Sequence, residues 1–234
     1  SKVDAPGIGV DYYHVDGVFD RKSHTNRKEA EFIVDLIYQN IEKYPNRSLG
    51  VVAFSVAQQD LIEKLLSKRR QRTPEKEYFF KNDGNEPFFI KNLETVQGDE
   101  RDTIIFSIAY GMDAQGHLLH NFGPLNRVGG ERRLNVAVTR AKCNVQLVSS
   151  MHYTDIDLKH TFAEGAKLLR EYLDYAENGS IALERAISGD QFEKFDSDFE
   201  LEVCEYLRSK GFFVDTQVGS SGFRIDLALK LPDS

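Results

Sequence analysis

The chain has 234 residues, 30 Lys and Arg against 37 Asp and Glu, a formal net charge of -7, and 41% hydrophobic residues. That length admits one large domain or two smaller ones, the apolar content suffices for a core, and no apolar run is long enough to span a membrane. The acid excess gives no global reason to expect a nucleic-acid partner. Charge is uneven, however, with Lys68, Arg69, Arg70 and Arg72 clustered and an acidic stretch from Asp190 to Glu205, so a locally positive groove stays open. Ser1-Lys2-Val3-Asp4 is not a secretory signal and reads as an internal boundary. Cys143 and Cys204, far apart in sequence, read as buried free thiols in a reducing cytoplasm rather than as a disulfide.

In chain order, residues 9–15 form an apolar run that predicts a buried strand. Residues 26–43 follow with Ala30, Ile33, Val34, Ile37 and Ile41 at helical spacing. A strand is expected over 49–55, then a helix over 57–70 carrying Leu61, Ile62, Leu65 and Leu66. Residues 71–87, with Pro74, Gly84 and Pro87, read as a polar surface excursion. Strands are expected over 88–92 and 102–109. Residues 111–130 hold five glycines and Pro124 and read as a long functional or mobile loop. A helix over 131–142, a strand over 144–150 and a helix over 161–177 complete the pattern, and Asn178-Gly179-Ser180 marks a boundary. The strands lack clean alternation and alternate with helices, which predicts a doubly wound α/β sheet covered on both faces.

Two segments concentrate the chemistry. Thr95-Val96-Gln97-Gly98-Asp99-Glu100-Arg101-Asp102 leads into one strand, and Arg132-Arg133-Leu134-Asn135-Val136-Ala137-Val138-Thr139-Arg140-Ala141-Lys142 leads into another. Strand ends place polar groups at one sheet edge, where α/β folds bind ligands. On a continuous helix Arg133 and Arg140, seven residues apart, would share a face and make a phosphate-binding fork. Taken singly, each residue has an ordinary alternative. Helix arginines are commonly solvated or ion-paired, Arg27 could be a first-turn surface residue, and Glu100-Arg101-Asp102 could be a surface charge run. Thr95 and Ser55 could be strand-end caps.

These two segments resemble motifs V and VI of superfamily 1 nucleic-acid helicases, in the branch that includes the nonsense-mediated-decay helicase. Asn26-Arg27-Lys28-Glu29-Ala30 is similar to the segment that opens the second motor domain there, and Val51-Val52-Ala53-Phe54-Ser55 with Gln58 resembles motif IV. The resemblance covers roughly residues 8–150 and implies a RecA-like second motor domain over residues 1–178. It implies Arg27 and Arg140 as arginine fingers on the γ-phosphate of ATP, in a common cleft. Gln97, Gly98, Glu100 and Arg133 would be nucleotide-binding, with Glu100 on the ribose and Arg133 alternatively a structural ion-pair partner. Ser55 and Thr95 would contact a single strand without reading its sequence. No Gly-x-x-x-x-Gly-Lys-Ser/Thr loop occurs, nor an acidic pair after a strand suited to Mg²⁺. ATP and Mg²⁺ are therefore expected to be held mainly by a preceding motor domain, and the chain alone is expected to be inactive.

Residues 179–234 carry a second resemblance. Phe199-Glu200-Leu201-Glu202-Val203, Gly211-Phe212-Phe213-Val214, Gln217-Val218-Gly219 and Gly222-Phe223-Arg224-Ile225-Asp226-Leu227-Ala228 resemble the opening of a very-short-patch-repair-type endonuclease. That fold belongs to the PD-(D/E)xK group, an α+β restriction-endonuclease-like unit. The resemblance implies Glu200 and Asp226 as metal-binding acids, with the third element lying beyond Ser234, so no metal site is complete. The expectation is part of an ATP-dependent helicase or translocase, located in the cytoplasm and acting on nucleic acid, with single-stranded DNA favoured by the nuclease-like tail. The alternatives are a metal-dependent nuclease and a non-catalytic nucleic-acid or protein-binding module.

Overall fold

The computed structural model describes residues 7–81, 84 and 86–183 in full, and residues 213–218 and 225–230 by their backbone. The chain divides into two compact units, Ser1–Asn178 and Gly179–Ser234.

In the first unit, β1 (Gly9–His14) is followed by a short hairpin of β2 (Phe19–Asp20) and β3 (Thr25–Asn26) that the apolar pattern did not announce. Helix α1 (Arg27–Lys43) begins at Asn26, whose side chain accepts from the Glu29 amide in the usual N-cap manner. Strand β4 (Leu49–Ala53) leads to α2 (Val56–Arg72), capped by Ser55. The excursion expected over 71–87 contains a 3₁₀ turn (Pro74–Lys76) and a one-turn helix, α3 (Glu77–Phe80), before β5 (Phe89–Asn92). Strand β6 (Arg101–Gly111) precedes a segment that is ordered rather than structureless. Met112 pairs with Leu118, and a 3₁₀ turn (Gly123–Asn126) lies beside Phe122 and Leu125, both of which are buried. Helix α4 (Gly130–Val138), β7 (Ala141–Ser150) and α5 (Glu164–Asn178) finish the unit.

The five strands β1, β4, β5, β6 and β7 are parallel, in the order β1-β7-β6-β4-β5. Side chains alternate between faces along each strand. Val51 and Ala53 of β4, Ile105 of β6 and Val148 of β7 pack with α1 and α2. Val52, Ile104, Phe106, Val145 and Leu147 pack with α4 and α5, so the sheet is covered on both sides as the apolar runs predicted. The rings of Phe54 and Phe106 meet edge to face at 6.0 Å in this second layer.

Two expectations need correction. The helix expected over 131–142 stops at Val138. There the Thr139 hydroxyl and the Arg140 Nε both donate to the Val136 carbonyl, the chain leaves the helix, and β7 begins at Ala141. Cys143 is half-buried, not buried, and its thiol is free; Cys204 lies outside the described residues. No helix among the described residues is long and apolar enough to cross a membrane.

In the second unit, β8 (Phe213–Val218) and β9 (Ile225–Lys230) pair antiparallel, with Thr216 opposite Leu227. Asp226 is the second residue of β9, and Glu200 lies outside the described residues.

Candidate functional site

The candidate residues fall at two opposite edges of the sheet. At the amino edge, the Arg101 amide at the start of β6 donates to the Arg140 carbonyl, which precedes β7. This brings the segments around Glu100 and Arg140 side by side. The Arg140 guanidinium lies 3.5 Å from the Glu100 carboxylate, with the arginine side chain 21% and the glutamate 53% exposed. Arg140 also donates from Nε to the Val136 carbonyl at 2.9 Å and from NH2 to the Thr139 hydroxyl at 3.1 Å. Two of its donors are thus anchored to the end of α4, while NH1 faces a solvent-reachable carboxylate. Val96, fully buried, anchors the turn that leaves Gln97, Gly98 and Glu100 exposed. Gly98 has φ +87°, a backbone state that side chains resist, and an added Cβ there would meet nothing within 4 Å.

The neighbouring charges hold this edge in shape. Arg101 is no surface residue: it is 5% exposed, and its guanidinium lies over the Phe89 ring at 4.7 Å. It donates to the Pro87 carbonyl at 2.8 and 2.5 Å and to the Glu100 carbonyl at 2.6 Å. Lys142 pairs with Glu86, whose carboxyl that contact holds below the usual range. Asp102 accepts from the Ser48 amide at 2.9 Å, so Glu100 alone of this acidic pair faces outward. Sequence reasoning took Glu100-Arg101-Asp102 either as a site or as a charge run. In the structure the first residue is available and the other two are scaffolding.

At the carboxyl edge, Ser55 caps α2 by accepting from the Gln58 amide at 3.2 Å. Thr95 closes the turn after β5, its hydroxyl accepting from the Asn92 amide at 3.1 Å. The Asn92 side chain donates to Gln59 at 2.8 Å, joining the two turns. Asn26, at the head of α1, donates from its side-chain amide to the Ser150 hydroxyl at the end of β7 at 2.8 Å. Behind these groups lies Glu29, which sequence reasoning quoted only as part of a motif. It is fully buried, and burial among groups without positive charge pushes its carboxyl up to about 8.

The common cleft expected for Arg27 and Arg140 does not exist. Arg140 precedes β7, whereas Arg27 follows Asn26, which is bonded to the last residue of β7. The 10 residues of that strand stand between them. At about 3.3 Å per residue this is roughly 30 Å, far beyond the reach of two side chains. Arg27 is exposed and pairs with Glu31 at 2.8 Å, one helical turn on, which is its ordinary surface role. The shared helical face expected for Arg133 and Arg140 is absent too, because Arg140 is off the helix. The Arg133 NH1 instead donates to the Val128 carbonyl at 3.1 Å. Glu100 and Arg140 also sit before strands rather than after them, opposite to the edge that open α/β sheets ordinarily offer a ligand. Among the described residues no cluster of three His, Cys, Asp or Glu side chains could hold a metal ion.

Residues 9–152, more than half of the chain, match the AAA domain family model, and the chain belongs to that family. It is 39% identical over 167 residues to an uncharacterized ATP-dependent helicase of Mycoplasma genitalium, MG140, covering 70% of this chain and 14% of that protein. It is 34% identical over 195 residues to the homolog of MG140 in Mycoplasma pneumoniae, covering 80% of this chain and 17% of that protein. The chain therefore spans less than a fifth of the curated relatives it matches. The crystal structure of the C-terminal domain of a possible DNA helicase from Lactobacillus plantarum WCFS1 aligns with a TM-score of 0.37 and 14% identity over 62% of this chain and 74% of that one. At that score the likeness carries no argument.

Proposed function

We propose that this chain supplies the second motor domain of an ATP-dependent helicase or translocase acting on nucleic acid, most favourably single-stranded DNA. Its two edges divide the labour. The observation that carries the reading is the meeting of Arg140 with Glu100, two residues 40 positions apart in sequence, on an exposed ledge at the amino edge. A guanidinium with two donors fixed and one turned outward is preorganised for the charge that spreads over equatorial phosphoryl oxygens. Glu100 would accept from a ribose hydroxyl, and Gln97 and Gly98 would shape the turn beside it. ATP with Mg²⁺ supplies the phosphoryl group and its counterion, and a partner motor domain would hold most of both.

At the carboxyl edge, Ser55 and Thr95 would touch the backbone of the strand, as small hydroxyls can without reading bases. Arg27 has no part in the phosphate site in this reading, since it stands at the carboxyl edge. Arg133 is a structural support for the loop before α4. The unit from residue 179 onward is read as part of a nuclease-like domain, with Asp226 and Glu200 as its acids. Strand-stimulated ATP hydrolysis by the intact protein tests the motor assignment. Arg140→Ala should abolish it to background while Arg27→Ala leaves most of it, and an inversion of that order would end the reading.

A further inference from the structure

Glu29 breaks a local rule. It occupies the third helical position after an Asn N-cap, where a glutamate ordinarily reaches back to the cap's own amide. Here that amide is taken by the Gln58 side-chain oxygen from α2, at 2.9 Å. The Glu29 carboxyl instead crosses to the sheet. Its Oε1 accepts from the Ser107 hydroxyl and from the Ala109 amide, both at 2.7 Å, and its Oε2 lies 3.5 Å from the Ser150 hydroxyl. Ala109 has φ +66°, a left-handed state unusual for a residue with a Cβ, and it lies within a register shift of β6 between Ser107 and Gly111. Such a kink persists only where the surroundings over-determine it.

The contacts then lead outward in an unbroken chain. The Ser107 hydroxyl accepts from the Gln58 side-chain amide at 3.1 Å, and the Gln58 backbone amide donates to Ser55. The next residue, Gln59, is bonded to Asn92, whose amide donates to Thr95. The geometry points to Glu29 as the positioning residue of the carboxyl edge: its carboxyl pins the Ala109 kink and, through Ser107 and Gln58, sets the places of Ser55 and Thr95. This rests on the reading of those two hydroxyls as strand contacts. Glu29 touches no strand itself and acts through its neighbours.

The groups in this network are Asn26 on α1, Gln58 on α2, Ser107 and the Ala109 amide on β6, and Ser150 on β7, none of them charged. Oε1 accepts twice and Oε2 accepts from the Ser150 hydroxyl; on protonation, Oε2–H and that hydroxyl can exchange donor and acceptor roles while Oε1 still accepts twice. Glutamine reproduces the protonated form, with an oxygen for the two donors and an NH₂ for Ser150. Leucine keeps the bulk and leaves Ser107 and Ala109 without an acceptor, and aspartate is too short to reach them.

The test measures binding of a fluorescein-labelled 20-residue oligodeoxythymidine to the intact protein by anisotropy from pH 6 to 9, beside strand-stimulated ATP hydrolysis. Expected are near-native affinity for Glu29→Gln at pH 7 and a loss of about tenfold, about 1.4 kcal/mol, for Glu29→Asp and Glu29→Leu. The strand concentration for half-maximal stimulation should change more than kcat. Wild-type affinity should weaken as pH rises through about 8, and Glu29→Gln should abolish that dependence. Equal affinity in all four proteins overturns the inference, as does a parallel fall in kcat and affinity. If Glu29→Leu does not fold, Glu29→Gln and Glu29→Asp still decide through the pH profile. Arg140→Ala separates the two levels. If it abolishes hydrolysis while the Glu29 variants bind normally, only the inference fails; if it has no effect, the motor reading itself is lost.

Discussion

Removal of Arg140 is the perturbation on which the proposed chemistry turns. In Arg140→Ala three contacts disappear: Nε to the Val136 carbonyl, NH2 to the Thr139 hydroxyl, and the 3.5 Å approach of NH1 to Glu100. The first two lie at the exposed end of α4, where water can replace the lost donor, so each contributes about 0.5–1.5 kcal/mol at most. The Glu100 contact is an ion pair with a half-exposed partner and is worth about 0–1 kcal/mol. The fold should therefore lose about 1–4 kcal/mol in all. A guanidinium that meets the transferring phosphoryl group is worth about 10³–10⁵ in rate, or about 4–7 kcal/mol of barrier. Catalytic loss should thus exceed stability loss, with the folded fraction of the variant still able to report it. The assay pairs strand-stimulated ATP hydrolysis by the intact protein with urea denaturation of the same variants. Arg140→Lys should recover the charge but little of the rate, because an ammonium cannot hold Val136 and Thr139 while facing outward as a guanidinium does. A rate loss under about tenfold, or unfolding large enough to account for the loss, would refute the reasoning.

The remaining predictions follow from the same geometry. Glu29 has its folded-state pKa raised from 4.5 to about 8, so unfolding releases its proton over that window. Its contribution to stability is full below pH 4.5, declines as pH rises and is gone above about 8; denaturation midpoints at pH 5 and 8 should differ less in Glu29→Gln than in the wild type. Gly98→Ala should destabilise by about 1–2 kcal/mol through backbone strain alone, whereas Gly130→Ala should destabilise by more, since a Cβ there would stand 2.2 Å from the Leu125 carbonyl oxygen. Comparable urea midpoints for the two would contradict that. Phe106→Ala, which empties a fully buried aromatic site against Phe54, should lose about 3–5 kcal/mol in the same titration. For the second unit, Mg²⁺-dependent nicking of plasmid DNA by the intact protein should vanish in Asp226→Ala; nicking that persists removes Asp226 from the nuclease reading.

Much of this architecture was legible along the chain, because strand and helix signals are local. Apolar runs over 49–55 and 144–150 and the helical spacing of Ala30, Ile33, Val34, Ile37 and Ile41 depend only on which faces must be buried, and the structure buries those faces. The end of α4 was not legible. Val136 to Arg140 continue a helical pattern, and only the pairing of Arg101 with the Arg140 carbonyl, contributed by a segment some forty residues earlier, draws the chain out into β7. Glu29 was hidden for a related reason. Its position after Asn26 is what a helix cap requires, and that explanation satisfies the sequence completely. The groups that claim its carboxyl, Ser107, Ala109 and Ser150, come from strands far downstream.

Residue order alone thus determined the kind of sheet, since burial and periodicity act over a few residues. Tertiary structure decided which segments meet. Two guanidinium groups read as partners stand at opposite ends of a 10-residue strand, and Glu100 and Arg140 stand together, because parallel strands fix edges by direction and no local pattern records direction in space.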